Sequence, residues 1–213
     1  FIVADGMGGH KAGDVASREA IERFVKYACT THMSDPANIL DAGIISVNKD
    51  IFDMANSNRD YSGMGTTFVA ASLVENHVYI ANVGDSRLYL IGRDIRQITR
   101  DHSLVEDMVR MGVLEREEAR THYKKNVITK AIGVADDKTS TPDIFEIEVE
   151  NGDKLLLCSD GLTNMVEDYD IKKIVKDNDS IEDAVRELIK QANENGGKDN
   201  ISAILIEPEI GEE

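Results

Sequence analysis

The chain reads as an α+β fold, a layered arrangement of helices over antiparallel sheets, and three observations predict it. Helical and strand-like segments fall in blocks with no strict βαβ alternation; the strand segments are short, rich in β-branched residues and separated by tight turns; and the helical segments carry an apolar stripe on one side. At 213 residues, 41% hydrophobic and 30% charged, the composition is that of a soluble globular protein, and 1–213 reads as one domain with a sizeable core.

Phe1-Ile2-Val3-Ala4 is a short strand running into Asp5-Gly6. From Gly13 the pattern turns helical, with Asp14 as N-cap and Ile21, Phe24, Val25 and Ala28 at the i, i+3, i+4, i+7 spacing of one buried face. A second helix follows Pro36, where Leu40, Ile44, Val47, Ile51 and Met54 recur every three or four residues, so the two helices are expected to pack as a pair. Thr66 to Val74, His77 to Val83 and Arg87 to Ile91 then read as an antiparallel meander. Leu104, Val105, Met108, Val109 and Met111 mark a short helix, and the highly charged stretch 115–126 reads as a mobile surface flap. Asp143 to Val149 and Lys154 to Ser159 are strands joined by Glu150-Asn151-Gly152-Asp153, whose Asn-Gly predicts a hairpin. In the last helix Ser180 and Asp183 form a capping-box pattern before the stripe Ile181, Ala184, Val185, Leu188, Ile189 and Ala192. Gly196-Gly197 ends that helix, and Ile201 to Ile206 closes the chain as a strand.

Composition removes several function classes. A formal charge of −16 opposes binding to nucleic acid or to anionic membranes, so neither is expected as a partner, and phosphate chemistry here has to recruit cations. Two cysteines, Cys29 and Cys158, are too few for a disulfide framework or a cysteine-based zinc site, which fits a reducing, cytoplasmic setting. No apolar run approaches the roughly 20 residues of a membrane span. The chain opens at Phe1 within a strand and without an initiator Met, so it is expected to be N-terminally truncated, with strands missing upstream.

The chemistry sits on four aspartates. Asp5, Asp85, Asp160 and Asp199 each stand where a short apolar strand meets a glycine-containing turn or an Asp-Asn pair. An isolated Asp-Gly is ordinarily a turn, but the recurrence of strand-end carboxylates describes a cage for hard divalent cations such as Mg²⁺ or Mn²⁺. Two such ions about 3.5–4 Å apart activate a water and clamp phosphate oxygens, and Gly6 lets its backbone carbonyl approach an ion as a further ligand. A cysteine-dependent phosphatase needs an Arg six residues after its Cys, whereas Asp35 follows Cys29 and Asn164 follows Cys158 at that spacing. No phosphate-binding Gly-Lys-Ser/Thr run or dinucleotide fingerprint is present. His10, His102 and His122 are candidates for acid–base roles, against the ordinary reading as surface or hydrogen-bonded histidines.

Six stretches carry a family pattern in order: Val3-Ala4-Asp5-Gly6-Met7-Gly8-Gly9-His10, Gly63-Met64-Gly65-Thr66-Thr67, Gly84-Asp85-Ser86-Arg87, Asp101-His102-Ser103, Cys158-Ser159-Asp160-Gly161-Leu162 and Gly197-Lys198-Asp199-Asn200-Ile201. On these the chain resembles the metal-dependent protein serine/threonine phosphatases of the PP2C type, in their compact bacterial form. The resemblance implies a four-layer α-β-β-α sandwich with two central antiparallel sheets and a metal cluster at one end. It implies that Asp5 bridges two metals, that the Gly6 carbonyl joins one of them, that Asp160 and Asp199 complete the second site, and that Asp85 pairs with Asp160 around a third, weaker ion. The catalytic set is then Asp5, Asp160 and Asp199, and Mn²⁺ or Mg²⁺ is the cofactor. The implied reaction is hydrolysis of phosphoserine and phosphothreonine by direct attack of a metal-activated water, on phosphoprotein substrates that include a cognate serine/threonine kinase and its targets. The family's phosphate-gripping Arg lies in a motif upstream of Asp5, outside this chain, and Met7 stands where animal relatives carry a His. The alternatives are a catalytically silent regulatory or interaction module of the same fold, and a metal-dependent nuclease, which the acidic charge opposes.

Overall fold

The computed structural model describes residues 1–7, 10–135 and 140–211. Gly8 and Gly9 of the glycine-rich run, and the side chain of His10, lie outside the described residues.

The described elements in chain order are β1 (Ile2–Val3), β2 (Gly6–Met7), α1 (His10–Thr30), α2 (Pro36–Ser57), a 3₁₀ turn at Arg59–Tyr61, β3 (Gly65–Thr66), β4 (Phe68–Val74), β5 (His77–Val83), β6 (Arg87–Ile91), β7 (Ile95–Gln97), α3 (Leu104–Arg110), α4 (Arg116–Ala119), β8 (Asp143–Glu148), β9 (Lys154–Cys158), α5 (Asp160–Thr163), α6 (Asp168–Asp177), α7 (Ile181–Glu194) and β10 (Ala203–Ile206). Two four-stranded antiparallel sheets, ordered β1-β4-β5-β8 and β10-β9-β6-β7, stack face to face, and β2 and β3 form a small ribbon beside them.

Alternation of side chains along the strands builds three apolar layers. Phe68, Ala70, Ala81 and Val83 face α1 and α2. Val69, Val78, Ile80, Leu88, Leu155 and Leu157 meet between the sheets. Tyr89, Ile91, Leu156 and Cys158 face α6 and α7. The result is the expected α-β-β-α sandwich. Fully buried Ile44, Ile51 and Ile80 each contribute about 1.5–3 kcal/mol relative to exposure.

Both long N-terminal helices form, but the first starts earlier than its cap signal. Asp14 lies a turn inside α1, where it pairs with Arg18 at 3.4 Å. Gly13 packs on the Gly6 backbone so closely that a Cβ would meet the Gly6 carbonyl oxygen at 2.8 Å, so packing against β2 sets the first turn. The buried face of α1 is Ala12, Ala16, Ala20 and Phe24, while Val25 is exposed. Small alanines bring the helix near the sheet, and Gly43 of α2 seats against the rings of Phe24 and Tyr27. In α2 the apolar face is as expected, and Ser180 Oγ accepts the Asp183 N–H at 3.0 Å to cap α7.

Two strand pairings differ from expectation. The single meander splits: β4 and β5 pair in one sheet, while β6 belongs to the other and pairs with β7, a strand missed in the sequence. The chain crosses between sheets at Gly84-Asp85-Ser86. Likewise the Asn151-Gly152 turn forms, with Gly152 at φ 92°, yet β8 and β9 are not partners. β8 pairs with β5 and β9 with β6 and β10. The burial pattern explains this. β8 alternates between half-buried and exposed, which suits a sheet edge, whereas Leu155 to Cys158 are buried on both faces and demand a central position. The segment 115–126 carries α4 and is tied to the body by ion pairs from Arg116 to Glu106 and from Arg120 to Glu167.

The crossing at Gly84 is held by His102. The Gly84 N–H donates to His102 Nδ1 at 3.1 Å, so that nitrogen is unprotonated and Nε2 carries the hydrogen. Nε2 lies 3.2 Å from Asp143 Oδ2, too far off line to be satisfied by it. Burial holds the His102 pKa below the ordinary histidine value, the Lys130 charge adds to this, and Asp143 opposes it. The unfolded chain therefore binds the extra proton first. Stability contributed by neutral His102 is present above the ordinary histidine value and is lost as pH falls through the lower folded-state value. His102→Leu leaves the Gly84 N–H unpaired and is expected to cost about 1–3 kcal/mol at pH 8. Urea denaturation of both proteins from pH 8 to pH 5 should show their difference narrowing towards pH 5; a constant difference is the contrary result.

Candidate metal centre

The register of the two sheets brings the four aspartates to one end. In the first sheet Val3 pairs with Val69 and Phe68 with Val83, which places the end of β1, the start of β4 and the end of β5 side by side. In the second, Cys158 lies opposite both Arg87 and Ala203, aligning the end of β9 with the starts of β6 and β10. Gly84-Asp85-Ser86 joins the two rows. Asp5 follows β1, Asp85 sits in that crossing, Asp160 opens α5 after β9, and Asp199 lies in the loop entering β10.

Backbone contacts fix each turn. The Asp5 N–H donates to Thr67 Oγ1 at 2.9 Å, and the Asp5 carbonyl accepts from the Thr67 N–H at 2.9 Å and from Thr66 Oγ1 at 3.0 Å. The Thr67 hydroxyl shares a 2.7 Å hydrogen bond with Ser86, so one threonine links the turns of Asp5 and Asp85. Gly84, at φ 105°, presses on Thr67, and a Cβ there would lie 2.7 Å from the Thr67 side chain. Gly6 packs on Gly13, and a Cβ on Gly161 would collide with the Asn200 carbonyl, which joins the Asp160 turn to the Asp199 loop. Ser159 Oγ adds a 3.2 Å hydrogen bond to the same carbonyl.

The carboxylates act on one another. Burial pushes the Asp5 carboxyl up to about 7, and the charges of Asp160 and Asp199 and a hydrogen-bond contact with Asp160 push the same way. Burial likewise raises Asp85 to about 7, with Asp160, Asp101 and Asp5 adding to the effect. Asp160 is raised by burial and by Asp199, against Asn164, Lys125 and Arg87. Asp199 is exposed, and its Oδ1 accepts the Asn200 N–H at 2.8 Å. The charges of Asp160 and Asp199 bear on Asp5, that of Asp199 on Asp160, and those of Asp160 and Asp5 on Asp85. Among the described residues no three His, Cys, Asp or Glu side chains are drawn into a tight ion-holding cluster.

A cavity of about 340 Å³ opens beside Asp85 and Asp160 and is covered by Arg116, Arg120 and Lys125 of segment 115–126. Its lining includes part of a half-buried network that carried no signal of its own in the sequence. Arg87 donates to both oxygens of Asp101 (Nε to Oδ1 2.9 Å, Nη2 to Oδ2 2.7 Å) and to Tyr89 Oη at 2.8 Å, while Tyr89 donates to Asp168 at 3.0 Å. Arg87 and Asp101 stand in quoted motifs, yet nothing local pairs residues 14 positions apart. Asn164, bonded to Asp160 Oδ2 at 2.8 Å, was also missed, although its spacing of four within one helical turn is the signal that finds it. His102 and His122 follow the ordinary reading: His102 braces Gly84, and His122 Nδ1 accepts the Lys124 N–H at 3.2 Å. Cys158 is buried and its thiol is pushed up to about 12 by burial, which suits an inert core residue.

Residues 1–201 match the family Protein phosphatase 2C. Serine/threonine phosphatase stp of Listeria innocua is 45% identical over 212 residues, covering 97% of this chain and 83% of that protein. The crystal structure of serine/threonine phosphatase Stp1 from Staphylococcus aureus superposes with a TM-score of 0.92 at 42% identity, covering 98% of this chain and 83% of the other. The catalytic domain of the serine threonine protein phosphatase PstP, crystallised in complex with two manganese ions, superposes with a TM-score of 0.85 at 32% identity over 96% of this chain and 85% of that one. With a match over nearly its whole length, a shared sandwich and the strand-end aspartates gathered at one end, this chain belongs to the protein phosphatase 2C family and is a phosphoprotein phosphatase.

Proposed function

We propose that this chain is a metal-dependent protein serine/threonine phosphatase whose centre holds two Mn²⁺ or Mg²⁺ ions on Asp5, the Gly6 carbonyl, Asp160 and Asp199, with a weaker third ion between Asp85 and Asp160. The observation that carries this reading is the strand register that brings the turns of Asp5, Asp85, Asp160 and Asp199 to one end of the sandwich, where burial and the charges of Asp160 and Asp199 push the Asp5 carboxyl up to about 7. Carboxylates confined in this way relieve their repulsion by taking a proton or a cation. A donor set of oxygens without histidine suits hard divalent ions. The relative crystallised with two manganese ions supports manganese as the ion and two as the number in the core site.

When bound, such ions supply a water activated for direct attack on phosphorus and neutralise the phosphoryl oxygens. The chain's own residues do the rest. Asp5, fixed by Thr66 and Thr67, would hold the ions together with the Gly6 carbonyl. Asp160 and Asp199, whose turns are joined by the contact of Gly161 with Asn200, would complete the donor set. The cavity beside them receives the phosphorylated side chain, and segment 115–126 forms its wall. Substrates are phosphoserine and phosphothreonine proteins, including a cognate serine/threonine kinase and its targets, in the cytoplasm. Among the described residues no helix is long and apolar enough to cross a membrane.

Hydrolysis of a phosphothreonine peptide and of p-nitrophenyl phosphate is expected with Mn²⁺ or Mg²⁺ and is abolished by EDTA; EDTA-resistant turnover contradicts the assignment. Asp5→Asn keeps the Thr67 contacts, which use the backbone, and is expected to lower kcat by roughly 10³-fold or more, comparable to or beyond loss of a principal transition-state contact. Wild-type rates in that variant sink the metal reading. Asp85→Asn should leave two tightly bound Mn²⁺ per chain, counted by calorimetry, and lower activity by about 10-fold, within the range of losses seen around metal sites. Loss of both tight ions in that variant would move Asp85 into the core site.

A further inference from the structure

Asp160 does not stand alone at the start of α5. Asn164 Nδ2 donates to Asp160 Oδ2 at 2.8 Å, and Asn164 Oδ1 accepts from Lys125 Nζ at 3.0 Å. Chemistry fixes the orientation of this amide, because a carboxylate only accepts and an ammonium only donates. The amide is also anchored at its root, since the Asn164 N–H donates to the Asp160 carbonyl at 2.7 Å. A continuous hydrogen-bonded chain therefore runs from segment 115–126, through one side-chain amide, to a carboxylate at the centre of the site.

That segment grips the end of α5 at neighbouring points. Arg120 Nη2 donates to the Thr163 carbonyl at 3.2 Å, and Arg120 Nε pairs with Glu167 at 2.9 Å. Lys125 is held there against burial and against the charges of Arg120 and Lys198. Lys125 also lines the cavity.

We propose that Asn164 is the positioning residue for Asp160, holding Oδ2 so that Oδ1 is presented to the ions, and that Lys125 acts on the centre through Asn164, so that the covering segment tunes metal affinity. This rests on the reading of Asp160 as a metal ligand. With Lys125 withdrawn, Asn164 Oδ1 loses its donor, the amide is free to turn, and Asp160 loses the hydrogen bond that orients it.

The test measures Mn²⁺ binding by isothermal titration calorimetry, with melting of each metal-free protein alongside, for wild type, Asp160→Asn, Asn164→Leu, Lys125→Met, Lys125→Arg and the Asn164→Leu/Lys125→Met double variant. Asn164→Leu is expected to weaken Mn²⁺ binding about 10-fold or more, as loss of an orienting hydrogen bond behind a ligand does. Lys125→Met should weaken it by about 3-fold or more, and Lys125→Arg, which keeps a donor, should restore most of that loss. The double variant should bind like Asn164→Leu alone, within about twofold, because the lysine acts through the amide. A merely structural role would lower the metal-free melting temperature and leave Mn²⁺ affinity of the folded protein unchanged, which overturns the proposal; so does a lysine effect that adds in full to Asn164→Leu. If Asn164→Leu does not fold, the Lys125 pair decides: equal Mn²⁺ affinity in wild type and Lys125→Met overturns the coupling. Wild type that binds no Mn²⁺ removes the metal reading and this proposal together. Wild type that binds, Asp160→Asn that does not and Asn164→Leu that binds like wild type removes the positioning role alone.

Discussion

The architecture depends on holding like charges together. Two carboxylates about 4 Å apart repel by about 4 kcal/mol at an effective dielectric near 20, and at one end of the sandwich Asp5 and Asp160 feel the charge of Asp199, while Asp85 feels those of Asp160 and Asp5. Side chains alone cannot sustain that arrangement, since each can rotate away. What sustains it is backbone: Gly161 on Asn200, Gly84 on Thr67 and Gly6 on Gly13 are contacts in which a Cβ has no room. Each glycine contact ties an aspartate-bearing turn to a different stretch of chain. The three cores behind them convert apolar burial into the rigidity that these contacts require.

This division of labour explains what was legible in the sequence. The strand-end aspartates were legible because a short apolar run that stops at an acidic residue and a glycine is a local signal, readable at Asp5, Asp85 and Asp160. The α2 face and the Ser180 cap were legible for the same reason. Partner choice was not. The Asn151-Gly152 turn is the same whether its strands pair with each other or part into two sheets; what separates β8 from β9 is that one is half-exposed and the other buried on both faces, a property of neighbours far along the chain. The alanine face of α1 was hidden because alanine carries little apolar weight, although Ala16 and Ala20 are fully buried. Arg87 with Asp101 and Lys125 with Asn164 join residues that only the fold brings together.

The cations around the cavity complete the electrostatic picture. With a net charge of −16, the chain sets Arg87, Arg116, Arg120 and Lys125 beside its carboxylate end. Each arginine is engaged: Arg87 with Asp101, Arg116 with Glu106 and Arg120 with Glu167. Arg87 in particular offsets Asp101, whose charge bears on Asp85 from beneath. The guanidinium groups on the cavity wall therefore neutralise the protein's own carboxylates. A phosphate dianion entering this cavity meets arginines already paired, in a site whose remaining field is that of converging aspartates. On the proposed reading its charge is neutralised chiefly by the ions those aspartates hold, so that one carboxylate set both binds the metal and gives an acidic protein its affinity for a phosphoryl group.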